Sequence, residues 1–423
     1  MRRFFPPVIL GVLIALVCGL ASVAGAQQVV SFWYYGAQSD FDALEAIARE
    51  FEAENPGIRI EIVNTPYSAN WEKWAVAAAG GAPPDASMAN FGIFAVLGDV
   101  LEPLEKYVEA TPEIRRENFF PAHWDANYWN GHLLGLPFRA NSQVMFYNKL
   151  AFAEAGIGDV PATWAELRDV ATRLTKRTGD TVERWGFSFR NSQLNRTVNN
   201  FAQRNGWQPF DMEFTEAYYL DPKLIETLDF LNGMVVSGVA AIPGMPGVGD
   251  LAGGTVAMLN DGPWILAYAR AANPNLEVGA FVPPAGPSGA APYANMGGEN
   301  LVMFKDSKNK EATWKWLTYL AYHRNGEYNK ITGAFFPVVR YAASDAHWFE
   351  SDVWAAVLQN YEEGMLPIVT PPCGIRTVYE DGFESALREI LNQRAAVETA
   401  LEDLQRIAQA QLASESFVQC MGR

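Results

Sequence analysis

The sequence is short of the residues that catalysis and metal binding use most. It has 3 Cys and 4 His in 423 residues. No two histidines stand at the helical spacing of a zinc site, so no metal is expected. There is no Gly-x-Ser-x-Gly elbow, no Gly-Lys-Ser/Thr phosphate loop and no His-Glu-x-x-His. The glycines from Gly247 to Gly253 imitate a dinucleotide turn, but with one residue too many before the last and no clear strand ahead of them. A flexible loop explains them, and no cofactor is expected. His123 and His132 lie in an aromatic-rich stretch without a paired nucleophile, which suits structural or surface roles. Basic residues are also scarce, 32 Lys and Arg against 48 Asp and Glu, for a net charge of −16. That balance disfavours nucleic acid and anionic membrane surfaces as partners, and it weighs against a highly anionic ligand. Beyond the first residues no stretch reaches the roughly 18 apolar residues that a spanning helix needs.

What is present begins with an export signal. Arg2 and Arg3 precede the apolar run Val8 to Val17, and Ala24-Gly25-Ala26 is a small-x-small cleavage site. This predicts a signal peptide over 1–26 and a soluble periplasmic chain from Gln27, a retained N-terminal anchor being the alternative. Cys18 sits inside the apolar run behind Val17, a poor context for lipid attachment. Loss of Arg2 and Arg3 takes the charge from −16 to −18. Cys373 and Cys420 then remain. In an oxidising compartment one disulfide is the natural reading, and two separate thiols the other. A mature chain of about 400 residues is too long for one small core and suggests two domains.

Strand and helix signals alternate. Val29 to Tyr35 is β-branched and aromatic, a strand. Ser39 reads as an N-cap for a helix bearing Phe41, Leu44, Ile47, Ala48 and Phe51, stopped by Asn55-Pro56-Gly57. Ile58 to Val63, Trp71 to Ala79 and Ala86 to Phe91 follow as strand, helix and strand. This order implies an α/β fold with a largely parallel sheet. Gln143 to Tyr147 reads as a strand, Thr163 and Glu166 as a capping box, and Ala312 to Tyr322 as a helix. Phe383 to Leu412 reads as one helix with Phe383, Leu387, Ile390, Leu391, Leu401, Leu404 and Ala408 on one side.

Paired carboxylates keep a glycoside hydrolase open, but among 48 acids a pair arises by chance. A sugar site needs no reaction. It needs an aromatic plane for the C–H face, and carboxylate, amide and guanidinium groups for hydroxyls. Such groups stand at predicted strand ends, where open α/β sheets bind ligands.

Several segments resemble a known family. Ser31-Phe-Trp-Tyr-Tyr-Gly, Phe51-Glu-Ala-Glu-Asn-Pro-Gly, Gly81-Ala-Pro-Pro-Asp85, Leu101-Glu-Pro-Leu, Leu136-Pro-Phe and Phe146-Tyr-Asn-Lys occur in the family's order. Gly254-Thr-Val-Ala-Met, Gly262-Pro-Trp264, Gly297-Gly-Glu-Asn and Gly333-Ala-Phe-Phe-Pro337 continue it. Together they resemble the extracellular solute-binding proteins of ABC importers, in the sugar-binding group that includes maltose-binding protein. The resemblance implies a two-lobe periplasmic-binding-protein fold with hinge strands and a ligand cleft. An N-terminal lobe would comprise 27–139 and 285–340, and a C-terminal lobe 140–284 and 341–423. The chain would be a non-enzymatic, monomeric receptor with a sugar as ligand and the importer's membrane subunits as partners. A polyol or glycerol-phosphate-like ligand is the alternative.

Carried over residue by residue, Trp264 becomes a stacking platform, or else a core residue beside a Gly-Pro turn. Asp85 and Glu299 become hydroxyl-binding carboxylates, or else a loop cap and a turn acid. Gly298 leaves room for backbone to approach the ligand, with Asn300 beside it. Arg376 belongs to a late cleft segment or to the surface. Arg139 and Asn141 flank the first crossing. Tyr35, Tyr67 and Asn90 are weaker candidates, as much packing as contact.

Overall fold

The computed structural model describes residues 27–65, 70–90, 92–189, 194–211, 213–242, 251–288, 294–333, 335–363, 365–367 and 375–421. The chain first lays down β1 (Gln28–Tyr34), α1 (Gln38–Glu54), β2 (Ile58–Asn64), α2 (Asn70–Ala79), β3 (Ala86–Asn90), α3 (Pro121–Asp125) and β4 (Leu136–Ser142). It then builds β5 (Val144–Asn148), α4 (Trp164–Leu174), β6 (Phe187–Ser188), α5 (Leu194–Arg204), α6 (Pro222–Val236) and β7 (Ala240–Ala241). β8 (Met258–Asp261), α7 (Ile265–Ala272) and β9 (Val278–Phe281) complete that second group. Last come β10 (Ala294–Met303), α8 (Lys310–Thr318), α9 (Asn325–Thr332), β11 (Phe336–Pro337), α10 (Asp352–Glu363), β12 (Met365–Pro367), α11 (Ile375–Thr377), α12 (Phe383–Leu391) and α13 (Val397–Leu412).

Among the described residues these strands form two main sheets. The first runs β11-β4-β10-β3-β1-β2, with β12 added beside β10, and the second runs β7-β6-β8-β5-β9. β1 is parallel to β2 and β3, as the alternation of strand and helix predicts, whereas β10 is antiparallel to β3 and β4. The chain passes between sheets at Gln143, the one residue separating β4 from β5.

Each sheet has its own core, which makes the two lobes. In β1, Val30, Phe32 and Tyr34 alternate inward, and α1 covers them with Leu44, Ile47, Ala48 and Phe51 at helical spacing. Phe51 meets Trp316 edge to face at 5.4 Å. Burying a phenyl ring here contributes about 1.5–3 kcal/mol. The second core joins α4, α5 and α6 to α12 and α13. A third cluster ties Phe336 of β11 to Trp348, Trp354 and the β5 residues Val144 and Phe146.

Three local expectations need correction. Ala37, not Ser39, is the N-cap of α1, because the Asp40 carboxylate reaches back to accept the Ala37 N–H at 2.9 Å. The helix expected over Phe383 to Leu412 is two, α12 and α13, broken where Gln393 takes φ 61°. Its named apolar residues are still buried, on both segments. The helix expected to Tyr322 is α-helical only to Thr318 and continues as a wider turn to His323.

Candidate functional site

Three strands of the first sheet meet in one row. Glu299 of β10 lies opposite Asn90 of β3 on one side and Arg139 of β4 on the other. Arg139 is 3% exposed and is the hub. Its Nε donates to Glu299 Oε2 at 2.7 Å, and its Nη1 to Asp40 Oδ1 at 2.5 Å and to the Tyr328 hydroxyl at 3.0 Å. Tyr328 in turn donates to Asp40 Oδ1 at 2.6 Å. Burial opposes the charge on Arg139, but Glu299, Tyr328 and Asp40 outweigh it and push its pKa well above the usual value. One guanidinium therefore serves two carboxylates. Its flat face is covered by the Phe335 ring at 3.8 Å, a cation–π contact.

Local sequence explains the arrangement. Gly36 lets the chain turn into α1 against Asp40, since a Cβ there would lie 2.7 Å from the carboxylate. A Cβ on Gly298 would lie 2.5 Å from the Arg139 carbonyl oxygen, so glycine allows β10 and β4 to close up. Between Glu299 and Asn300 the ladder slips: Glu299 faces Arg139, and Asn300 faces Pro137. Such a slip re-aims neighbouring side chains.

From the second sheet, β8 runs into Gly262-Pro263-Trp264 at the start of α7. The half-buried Trp264 indole folds over Gly262, where a side chain would collide with it. Trp264 lies 6.4 Å from Phe335, centroid to centroid. Trp264, Phe335 and Arg139 thus form a chain of contacts from one sheet to the other, with the two rings tilted by 41°. A second buried polar cluster is a knot of amides around Gln143. Asn260 of β8 donates to Gln143 Oε1 at 2.8 Å and accepts from Asn200 of α5 at 2.8 Å. The Gln143 carbonyl accepts from Asn200 and from Asn360 of α10, both at 3.2 Å, and Asn360 also donates to Ser142 Oγ at 3.0 Å.

The profile of the bacterial extracellular solute-binding proteins matches residues 35–326. The chain belongs to this family. A binding protein of Brucella abortus is 28% identical over 318 residues, covering 72% of this chain and 74% of that one. The sn-glycerol-3-phosphate-binding periplasmic protein UgpB of Shigella dysenteriae is 27% identical over 422 residues, covering 92% and 94%. An ABC substrate-binding protein of Listeria monocytogenes, solved with cycloalternan, shares the fold at a TM-score of 0.78. It is 22% identical and covers 92% of this chain and 100% of its own. Membership makes this an exported receptor, and no helix among the described residues is long and apolar enough to cross a membrane.

In this solute-binding protein the expected site residues divide. Asn90, Arg139 and Glu299 share one row, Asn141 lies opposite Gly297 in the adjacent register, and Trp264 reaches that row through Phe335. Asp85 stands apart. It precedes β3 at the other end of the strand, where its carboxylate accepts the Ser31 N–H at 3.0 Å and the Ser307 hydroxyl at 2.5 Å. Tyr35 is 3% exposed and packs 6.3 Å from Trp74. Asn300 is 0% exposed, behind the sheet surface rather than on it. Arg376 falls in α11. Its side chain, like Tyr67, Cys373 and the Cys420 thiol, lies outside the described residues, so the disulfide does too.

Asp40, Tyr328 and Phe335 were missed. Phe335 had a signal, the aromatic pair before Pro337. Asp40 and Tyr328 had none, because their pairing spans 288 residues of chain.

Proposed function

We propose that this protein captures a neutral polyhydroxylated ligand, a sugar, between its lobes and delivers it to an ABC importer without chemical turnover. The observation carrying this reading is the Asn90–Glu299–Arg139 row beside the Phe335–Trp264 pair. It juxtaposes hydroxyl-binding groups with aromatic faces suited to a sugar ring. The sugar complex of the Listeria neighbour supports it. The kinship to UgpB favours a second reading, a glycerol-phosphate ligand. Against it, the Arg139 charge is already shared by Asp40 and Glu299. A phosphate would meet surplus carboxylate there.

In the same reading, residues 27–139 with 285–340 and residues 140–284 with 341–423 move as the lobes, with β12 seated on the first. The mature protein is a periplasmic monomer beginning at Gln27, with Cys373 and Cys420 joined. Calorimetry of the mature protein against maltose, mannobiose, tagatose and sn-glycerol-3-phosphate tests the ligand class, with chromatography of each mixture to detect products. Saturable binding of a sugar with no product is expected. Preference for glycerol-3-phosphate, or product growing with time, would overturn the reading.

A further inference from the structure

Asp40 belongs to two structures at once. It is a member of the Arg139 cluster, and it stands in the first turn of α1, a helix of 17 residues. Its Oδ2 accepts the Ala37 N–H at 2.9 Å. Its Oδ1 accepts from Arg139 Nη1 at 2.5 Å and from the Tyr328 hydroxyl at 2.6 Å. Donors from the start of α1, from β4 and from α9 thus converge on one carboxylate. A main-chain N–H at a helix N-terminus, a guanidinium and a hydroxyl are a donor set suited to an anionic ligand group. Here the chain supplies the anion itself. Asp40 is 4% exposed, but Gly36 and Ala37, against which its carboxylate rests, are exposed. A single surface turn therefore covers the carboxylate. Charge points the same way. Arg139 is paired with both Asp40 and Glu299, which leaves one negative charge in excess at the row. An anionic ligand there meets net repulsion, and a neutral one does not.

We propose that Asp40 is a specificity-determining residue: it is a resident anion that fills the place where α1, Arg139 and Tyr328 converge, and so reserves the site for neutral ligands. The proposal rests on the reading that a neutral sugar binds at the row. Two experiments on the mature protein test it. In the first, Asp40→Ala removes the resident anion, and sodium formate or phosphate replaces sodium chloride at constant ionic strength. The melting temperature of the variant should rise by several degrees in formate or phosphate, while that of the parent stays the same. A variant that folds only in formate gives the same answer. Equal responses of variant and parent, or no recovery of a misfolded variant, overturn the proposal. In the second, Asp40→Asn keeps the volume and removes the charge. Both proteins are titrated calorimetrically with maltose, mannobiose, tagatose and sn-glycerol-3-phosphate. The ratio of glycerol-phosphate to sugar affinity should move toward the phosphate by about tenfold, as expected on deleting one negative charge close to the ligand. An unchanged ratio overturns the proposal. A parent that prefers glycerol-3-phosphate overturns the neutral-ligand reading instead, and the anion response of Asp40→Ala then still decides whether Asp40 fills an anion's place.

Discussion

Two buried polar clusters lie near the crossing between the sheets, and they are built from opposite materials. The Arg139 cluster is ionic: one guanidinium, two carboxylates and a phenol. The Gln143 knot is made mainly of amides and one serine hydroxyl, with a single charged group, the Arg204 guanidinium, donating to Asn360 Oδ1 at its edge. Charges buried this deeply fix one arrangement, because each loses heavily if its partner leaves. Amides lose far less per bond and can exchange partners. The ionic cluster holds the Asn90–Glu299–Arg139 row together, and the amide knot surrounds the segment where the chain changes sheets. The molecule is therefore stiff where geometry must be held and more forgiving where the backbone crosses.

Removing the hub should give the largest effect. Arg139→Met strands Asp40 and Glu299 together in the interior. Loss of about 3–5 kcal/mol is expected from urea unfolding. The triple change Arg139→Met, Asp40→Leu, Glu299→Met should recover much of it, since no unpaired charge remains. A single variant as stable as the parent would mean that water reaches the cluster freely.

Acid probes the ground between the clusters. His123 is 1% exposed, its ring 5.2 Å from Tyr361, and burial pushes its pKa down from 6.5 to about 4 despite the Gly297 carbonyl. The folded state keeps the ring neutral while the unfolded chain takes the proton first. Its contribution is complete above pH 6.5 and is lost as pH falls toward about 4. The loss amounts to ~3 kcal/mol. His123→Phe should flatten that part of the stability profile in melts across the range, and an unchanged slope would assign it to other groups.

The aromatic contact between lobes should read out in affinity. If Trp264 is a ligand platform, Trp264→Ala weakens sugar binding by at least about 30-fold, or ~2 kcal/mol, in a protein that still folds. Asp85→Asn, at the far end of β3, should leave affinity unchanged in the same calorimetric titration. The reverse ranking would move the ligand to the other end of the sheet.

How much of this was legible follows from range. The parallel β1-β2-β3 unit could be read because each signal is local: apolar alternation in β1, helical spacing in α1, a stop at Asn55-Pro56-Gly57. Glu299 and Arg139 were named from motifs, but their mutual pairing was not, because the bond joins residues 160 apart. That Asp85 lies at the opposite end of β3 from Asn90 could not be read, because a carboxylate in a Gly-x-Pro-Asp loop says nothing about which end of the strand it caps. The break at Gln393 was invisible because the apolar pattern continues across it.

The smallest effect is expected from the amide knot, at Asn360. Its amide donates to the Gln143 carbonyl and to Ser142 Oγ, and its carbonyl lies 3.4 Å from Arg204 Nη1. Asn360→Leu keeps a similar volume and removes these bonds. The Gln143 carbonyl is not stranded, because Asn200 still donates to it. The buried Arg204 guanidinium loses one acceptor, so the cost in stability should be about 1–2 kcal/mol, still below that of Arg139→Met. The sharper readout is local. Gln143 is bound by residues of α5, β8 and α10, so the crossing backbone should exchange its amide hydrogens slowly in the parent protein. Asn360→Leu should speed exchange at residues 142–144 while leaving β1 and β3 unchanged. Fast exchange at those residues in the parent would mean that the knot does not hold the crossing, and the contrast between a rigid floor and a tethered crossing would fail.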